Sequence, residues 1–167
     1  LRDLPIITFC NKMDRESREV VDIIDEIQEK LALEVSPINY PIGKGNDFIG
    51  CYELNDGNIE LLIKQNKNIK NQIKFINSKS NNQLLSIINK EKWEQEFENL
   101  NLIKSLTAKF NYNNFQDGIL SPILFGSAIY SFGIKRLLKS VIEYGPFPKP
   151  RQSKKRLIRP EEKNVSG

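Results

Sequence analysis

The sequence predicts an α/β fold of parallel strands with flanking helices, plus an inserted α+β subdomain, and three observations point to it. Pro5-Ile6-Ile7-Thr8-Phe9-Cys10 is an apolar run of strand length, and Ile119-Leu120-Ser121-Pro122-Ile123-Leu124-Phe125 is another. Each runs into a polar or small-residue loop, Asn11-Lys12-Met13-Asp14 or Gly126-Ser127-Ala128, and then into apolar residues at helical spacing. Open α/β sheets bind their ligands at the carboxyl ends of such strands.

In the first helix, expected over 15–33, Val20, Val21, Ile24, Ile27 and Leu31 follow a helical period, with acids on the solvated face. Ser36 to Gly43 is extended and carries two prolines, which suits a short edge strand. Phe48 to Leu54 and Asn58 to Ile63 are β-like runs around Asn55-Asp56-Gly57, an Asp-Gly hairpin signal. From Lys64 to Asn89 the chain is dominated by Asn, Lys and Ile, gives only vague helical signals, and receives no chemistry. A firmer helix is expected over 91–109, where Trp93, Phe97, Leu100, Ile103, Leu106 and Phe110 form a packing stripe. The last helix, 134–144, should turn Ile134, Leu137, Leu138, Val141 and Ile142 inward and Lys135, Arg136 and Lys139 outward. Pro146, Pro148 and Pro150 then forbid helix, and the charged tail to Gly167 reads as a linker toward a further domain. A chain that opens at Leu1, four residues ahead of a central-looking strand, reads as part of something longer.

Composition sets the outer limits. Residues that are 39% hydrophobic and 28% charged suit one soluble domain of ordinary size at 167 residues. No apolar run reaches membrane-spanning length. The formal charge of +4 allows weak attraction to a polyanion, but the lysines are scattered among acids. With no His and only Cys10 and Cys51, zinc sites and His-dependent triads are excluded within the segment.

The chemistry is concentrated in the two loops. An ionised Asp14 can accept both the N1–H and the exocyclic amine of guanine, a donor pair that adenine lacks. Asn11 can reach acceptors on the other side of the purine or tie its own loop together, and Lys12 can lay its stem over the base or sugar. Small residues at Gly126-Ser127-Ala128 let the backbone approach a planar base, and the Ala128 N–H could donate to guanine O6. A polar turn after Cys10 and an ordinary helix entry capped by Ser127 are the bland alternatives for each loop taken alone. Gly43-Lys44-Gly45 lacks the full phosphate-loop pattern and precedes a β-like run, so it is not read as one.

Asn11-Lys12-Met13-Asp14-Arg15 and Ser127-Ala128 resemble the fourth and fifth motifs of translational GTPases. Pro41-Ile42-Gly43 and Phe48-x-Gly50 resemble the insertion that elongation factor G and its relatives carry between those motifs. Cys51-Tyr52-Glu53-Leu54, the run from Ser121 to Ala128, Phe132-Gly133-Ile134 and the close from Glu143-Tyr144 through Arg151-Gln152 are similar to bacterial peptide chain release factor 3. That resemblance implies the carboxyl-terminal half of a P-loop-type GTPase domain. Residues 1–40 and 118–145 would be G-domain portions, 41–117 an inserted subdomain, and 146–167 the linker. It implies nucleotide-binding roles for Asn11, Lys12, Met13, Asp14, Ser127 and Ala128, with no catalytic residue and no metal ligand in the segment. GTP or GDP would be the ligand, with Mg2+ held elsewhere in an intact cytoplasmic GTP hydrolase. The ribosome and class I release factors would be its partners, without sequence-specific nucleic acid or membrane. The segment alone, lacking phosphate loop and switches, would be inactive. Alternatives are a fragment of elongation factor G or a ribosome-protection GTPase, or a non-catalytic remnant.

Overall fold

The structure, a computed structural model, describes residues 4–63, 72–77, 88–148, 150–153 and 156–162. Three strands form a parallel sheet: β1 (Thr8–Cys10), β2 (Glu34–Pro37) and β7 (Leu120–Phe125), in the order β1-β7-β2. β7 is buried along its whole length, as the central strand of a covered parallel sheet must be. The amphipathic helix α1 (Val20–Leu31) crosses from β1 to β2, burying Ile24, and ends at Ala32 in the left-handed conformation. It begins later than its sequence pattern suggests, because 15–19 are taken up by the loop after β1.

Only Ile38 separates β2 from β3 (Asn39–Ile42), and at that point the chain passes from the parallel sheet into an antiparallel one. β3, β4 (Gly50–Glu53), β5 (Asn58–Ile63) and β6 (Gln72–Asn77) pair in sequence order. The expected hairpin joins β4 to β5, with Gly57 at φ +72° and Gly57 N–H donating to the Glu53 carbonyl. β6 lies where the sequence gave only vague helical signals; its pairing with β5 supplies what local propensity does not. The remainder of that Asn/Lys-rich stretch, 64–71 and 78–87, lies outside the described residues.

Helix α2 (Lys90–Leu106) starts at Asn89, whose side chain accepts the Glu91 N–H at 3.0 Å. Its predicted stripe is buried only in part: Leu100 and Ile103 are in the core and Trp93 packs against it, whereas Phe97 and Leu106 are exposed. A short helix, α3 (Tyr112–Gln116), leads into β7. Helix α4 (Ile134–Tyr144) has the expected bounds and only part of the expected orientation: Lys135 and Lys139 face out and Ile134 and Leu137 are half-buried. Ser140 is its buried residue, Arg136 turns inward, and Leu138, Val141 and Ile142 are exposed. Periodicity defines an apolar face without saying what that face packs upon. After the proline run, β8 (Arg151–Gln152) and β9 (Leu157–Ile158) form a small ribbon where the sequence suggested only a linker.

One apolar cluster joins both sheets, running from Met13, Ile24 and Val35 through Ile123 and Phe125 to Tyr40, Ile42, Phe48, Ile59 and Leu100. The loops that follow β1 and β7 therefore sit on a base shared by the two sheets.

Candidate functional site: two interlocked loops at level strand ends

The register of β1 against β7 sets the geometry of the site. Cys10 lies opposite Phe125, so the two strands end level and their loops leave the sheet side by side. Gly126 N–H donates to the Cys10 carbonyl at 3.0 Å and Met13 N–H to the Gly126 carbonyl at 3.1 Å, which continues the pairing into the loops. Only glycine fits at 126: a Cβ there would approach the Phe132 carbonyl oxygen to 2.6 Å and the Phe9 ring to 2.9 Å.

The polar side chains then lock the loops together. Asn11 Oδ1 accepts from the Lys12 N–H at 2.7 Å and from the Ala128 N–H at 2.9 Å. Lys12 sits at φ +68°, a left-handed conformation that costs a non-glycine residue free energy, and the Asn11 side-chain carbonyl helps to hold it there. The Ser127 hydroxyl donates to Asp14 Oδ1. Ser127 thus orients a carboxylate in the opposite loop and makes no side-chain cap for the helical turn behind it. Phe132 pairs with Ser127 through both backbone groups, at 2.9 and 3.1 Å, and closes the second loop.

Asn11, Lys12, Asp14, Ser127 and Ala128 are brought to one place, with Asn11 and Lys12 exposed and Asp14 half-buried. Two expectations change. The Met13 side chain is 2% exposed and belongs to the core, so this residue anchors the loop through its packing and backbone instead of facing a ligand. The Ala128 N–H, expected to point at a base carbonyl, is directed at Asn11 Oδ1. With that oxygen occupied, the Asn11 amide nitrogen is the group it can offer to a purine acceptor. Asp14 keeps Oδ2 beside the Ser127-bound Oδ1, and two carboxylate oxygens have lone pairs enough for paired N–H donors as well.

Sequence reasoning missed Asn39. It is fully buried, its Nδ2 donates to the Phe125 carbonyl at 3.0 Å, and its Oδ1 accepts the Phe125 N–H at 2.7 Å. The side-chain amide takes the place of a strand neighbour at the root of the second loop. No local signal marks it, because its partner is 86 positions away. Burial pushes the nearby Cys10 thiol up to about 11 and raises that of Cys51 as well, so neither is a ready nucleophile.

Residues 1–146 match the family described as the elongation factor Tu GTP binding domain. The chain belongs to that family. Within this GTP-binding family it is similar to two proteins named peptide chain release factor 3, from Buchnera aphidicola subsp. Acyrthosiphon pisum strains Tuc7 and 5A. Identity to each is 42% over 171 aligned residues, covering 100% of this chain and 31% of the relative. The chain thus spans about a third of the length of the curated relatives it matches. A crystal structure of a Thermus thermophilus protein aligns with TM-score 0.54 and 16% identity, over 88% of this chain and 23% of that one, a likeness of fold. The α/β fold with parallel strands and flanking helices is thereby that of the GTP-binding domain family.

Proposed function

We propose that this chain supplies guanine recognition in a ribosome-associated GTPase of translation termination, one that recycles class I release factors using GTP. The observation that carries the base-reading role is the interlocked pair of loops, in which Asp14, Asn11, Ser127 and Ala128 share hydrogen bonds across two level strand ends. Asp14 accepts the guanine N1–H and N2–H; the Asn11 amide donates to a purine ring nitrogen; Lys12 covers the base with its stem; and the Ser127-Ala128 backbone lies against the base edge. The 42% identity to release factor 3 proteins favours termination among the activities of translational GTPases.

In this reading 1–40 and 118–145 are G-domain portions, 41–117 is an inserted subdomain that faces a ribosomal or protein partner, and 146–167 leads toward a second domain. GTP and GDP are the ligands. Mg2+ serves the phosphates in the intact enzyme; among the described residues no group of three His, Cys, Asp or Glu could hold it. The phosphate-loop pattern does not occur in the sequence, so this segment selects the nucleotide without cleaving it. The setting is the cytoplasm, where the intact enzyme works on the ribosome. No described helix is long and apolar enough to cross a membrane.

The test is base specificity in the full-length protein. Asp14→Asn should weaken GTP binding and improve xanthosine triphosphate binding, because xanthine offers an acceptor where guanine has its amine. An unchanged preference for guanine removes Asp14 from the role. The termination assignment is tested separately, by ribosome-stimulated GTP turnover coupled to displacement of a class I release factor.

A further inference from the structure

Both base loops rest on a segment that belongs to neither. The turn from Gly43 to Phe48 joins β3 to β4 and includes a short 3-10 helix, Gly45–Asp47. Gly45 N–H donates to the Met13 carbonyl at 3.0 Å and so fastens the first loop. Phe48, fully buried, meets Phe132 edge-on with ring centroids 5.4 Å apart. Phe132 is the residue that pairs with Ser127 through both backbone groups, so the same turn also supports the second loop.

The turn is itself held from α2. Glu96 accepts the Gly43 N–H at 3.0 Å with one carboxylate oxygen and the Tyr40 hydroxyl at 3.1 Å with the other. Lys92, one helical turn earlier, lies 2.8 Å from the Asp47 carboxylate. The turn has little freedom to adapt: Gly43 is at φ +73°, and a Cβ there would stand 2.1 Å from the Asp47 carbonyl oxygen. Movement of the Glu96 carboxylate is therefore passed on to Gly45 and Phe48.

We propose that Glu96 is a positioning residue for nucleotide binding: it sets the Gly43–Phe48 turn from α2, and that turn sets both guanine-reading loops. The inference rests on the base-site reading above and adds to it a residue that touches no ligand.

Release of a fluorescent GDP from the full-length protein tests it, with thermal midpoints measured alongside. Glu96→Ala should speed release about tenfold, the scale of one hydrogen bond to a charged acceptor, while the guanine-over-xanthine preference set by Asp14 persists. Glu96→Gln should restore release to within about threefold, because its carbonyl can accept the Gly43 N–H and its amide can donate to the Tyr40 oxygen. Tyr40→Phe keeps the buried ring and removes only the hydroxyl that orients Glu96, so it should give an intermediate rate even if the alanine variant does not fold. Wild-type release in both Glu96→Ala and Tyr40→Phe overturns the proposal, as does equal acceleration by Ala and Gln. A parent protein that binds no GDP, or an Asp14→Asn variant with unaltered base preference, overturns the site reading instead.

Discussion

Asn39 and Ser127 carry the strongest consequences at the level of single residues. Asn39 satisfies both backbone groups of Phe125, and the Cys51 thiol adds a weaker contact, 3.6 Å from Sγ to the same carbonyl. Asn39→Leu keeps the volume but orphans the buried Phe125 N–H and leaves its carbonyl only the weak Cys51 thiol, so urea unfolding should show a loss of about 1–3 kcal/mol. A loss below about 0.5 kcal/mol would show that solvent or a shifted β7 replaces the amide. Ser127→Ala removes the hydroxyl that orients Asp14 and should lower GDP affinity several-fold, about 1 kcal/mol by calorimetry in the full-length protein, with little change in folding. Asn11 and Asp14 stood out in the sequence because their chemistry is written in four consecutive residues after a strand. Asn39 did not, because its role is created by a contact that only the fold supplies.

At the level of elements, α4 meets the antiparallel sheet through charge. Arg136 Nη2 lies 2.7 Å from Glu53 Oε2 on β4, and Glu60 on β5, Asp56 in the hairpin turn, Lys135 and Lys139 line the same recess. Burial raises the Glu53 carboxyl to about 7 despite the opposing pull of Arg136, and burial raises Glu60 as well. A folded state that holds these protons more tightly than the unfolded chain gains stability at low pH and loses it as pH climbs. Between about pH 4.5 and pH 7 the folded protein should therefore lose on the order of 1–3 kcal/mol from Glu53. Glu53→Gln should flatten this part of the stability profile in thermal melts from pH 5 to pH 8. A wild-type profile that rises across the window would contradict the assignment. The same contact explains why the hydrophobic pattern misplaced Arg136: a buried carboxylate on another element, invisible in the helix's own period, draws the guanidinium inward.

For the molecule as a whole, what stays uncovered matters as much as what is packed. Among the described residues β1 pairs only with β7, leaving its other side open, and Leu138, Val141 and Ile142 are 57%, 48% and 82% exposed. Open strand edges and apolar helix faces favour self-association. Residues 1–167 alone should therefore associate increasingly with concentration in sedimentation equilibrium, and Ile142→Lys should reduce that association. A monomer at every concentration would count against an available apolar face. The isolated segment should bind GDP feebly, since phosphate contacts supply much of the affinity of such sites and no phosphate loop is present in its sequence. Micromolar binding by calorimetry would contradict this.

The sequence alone determined the two strand-loop units, the Asp-Gly hairpin, the amphipathic helices and the residue types of the two site loops. All of these are encoded at short range, by a period, a turn signal or adjacent functional groups. Tertiary structure decided the rest. It set β1 level with β7, so that Asn11 meets Ala128 and Ser127 meets Asp14 across 117 and 113 positions. It also recovered β6, drew Arg136 of α4 inward while leaving Leu138, Val141 and Ile142 uncovered, sank Met13 into the core and stood both loops on the Gly43–Phe48 turn. Each of those outcomes depends on which surfaces become neighbours after collapse, and no window of consecutive residues contains that information.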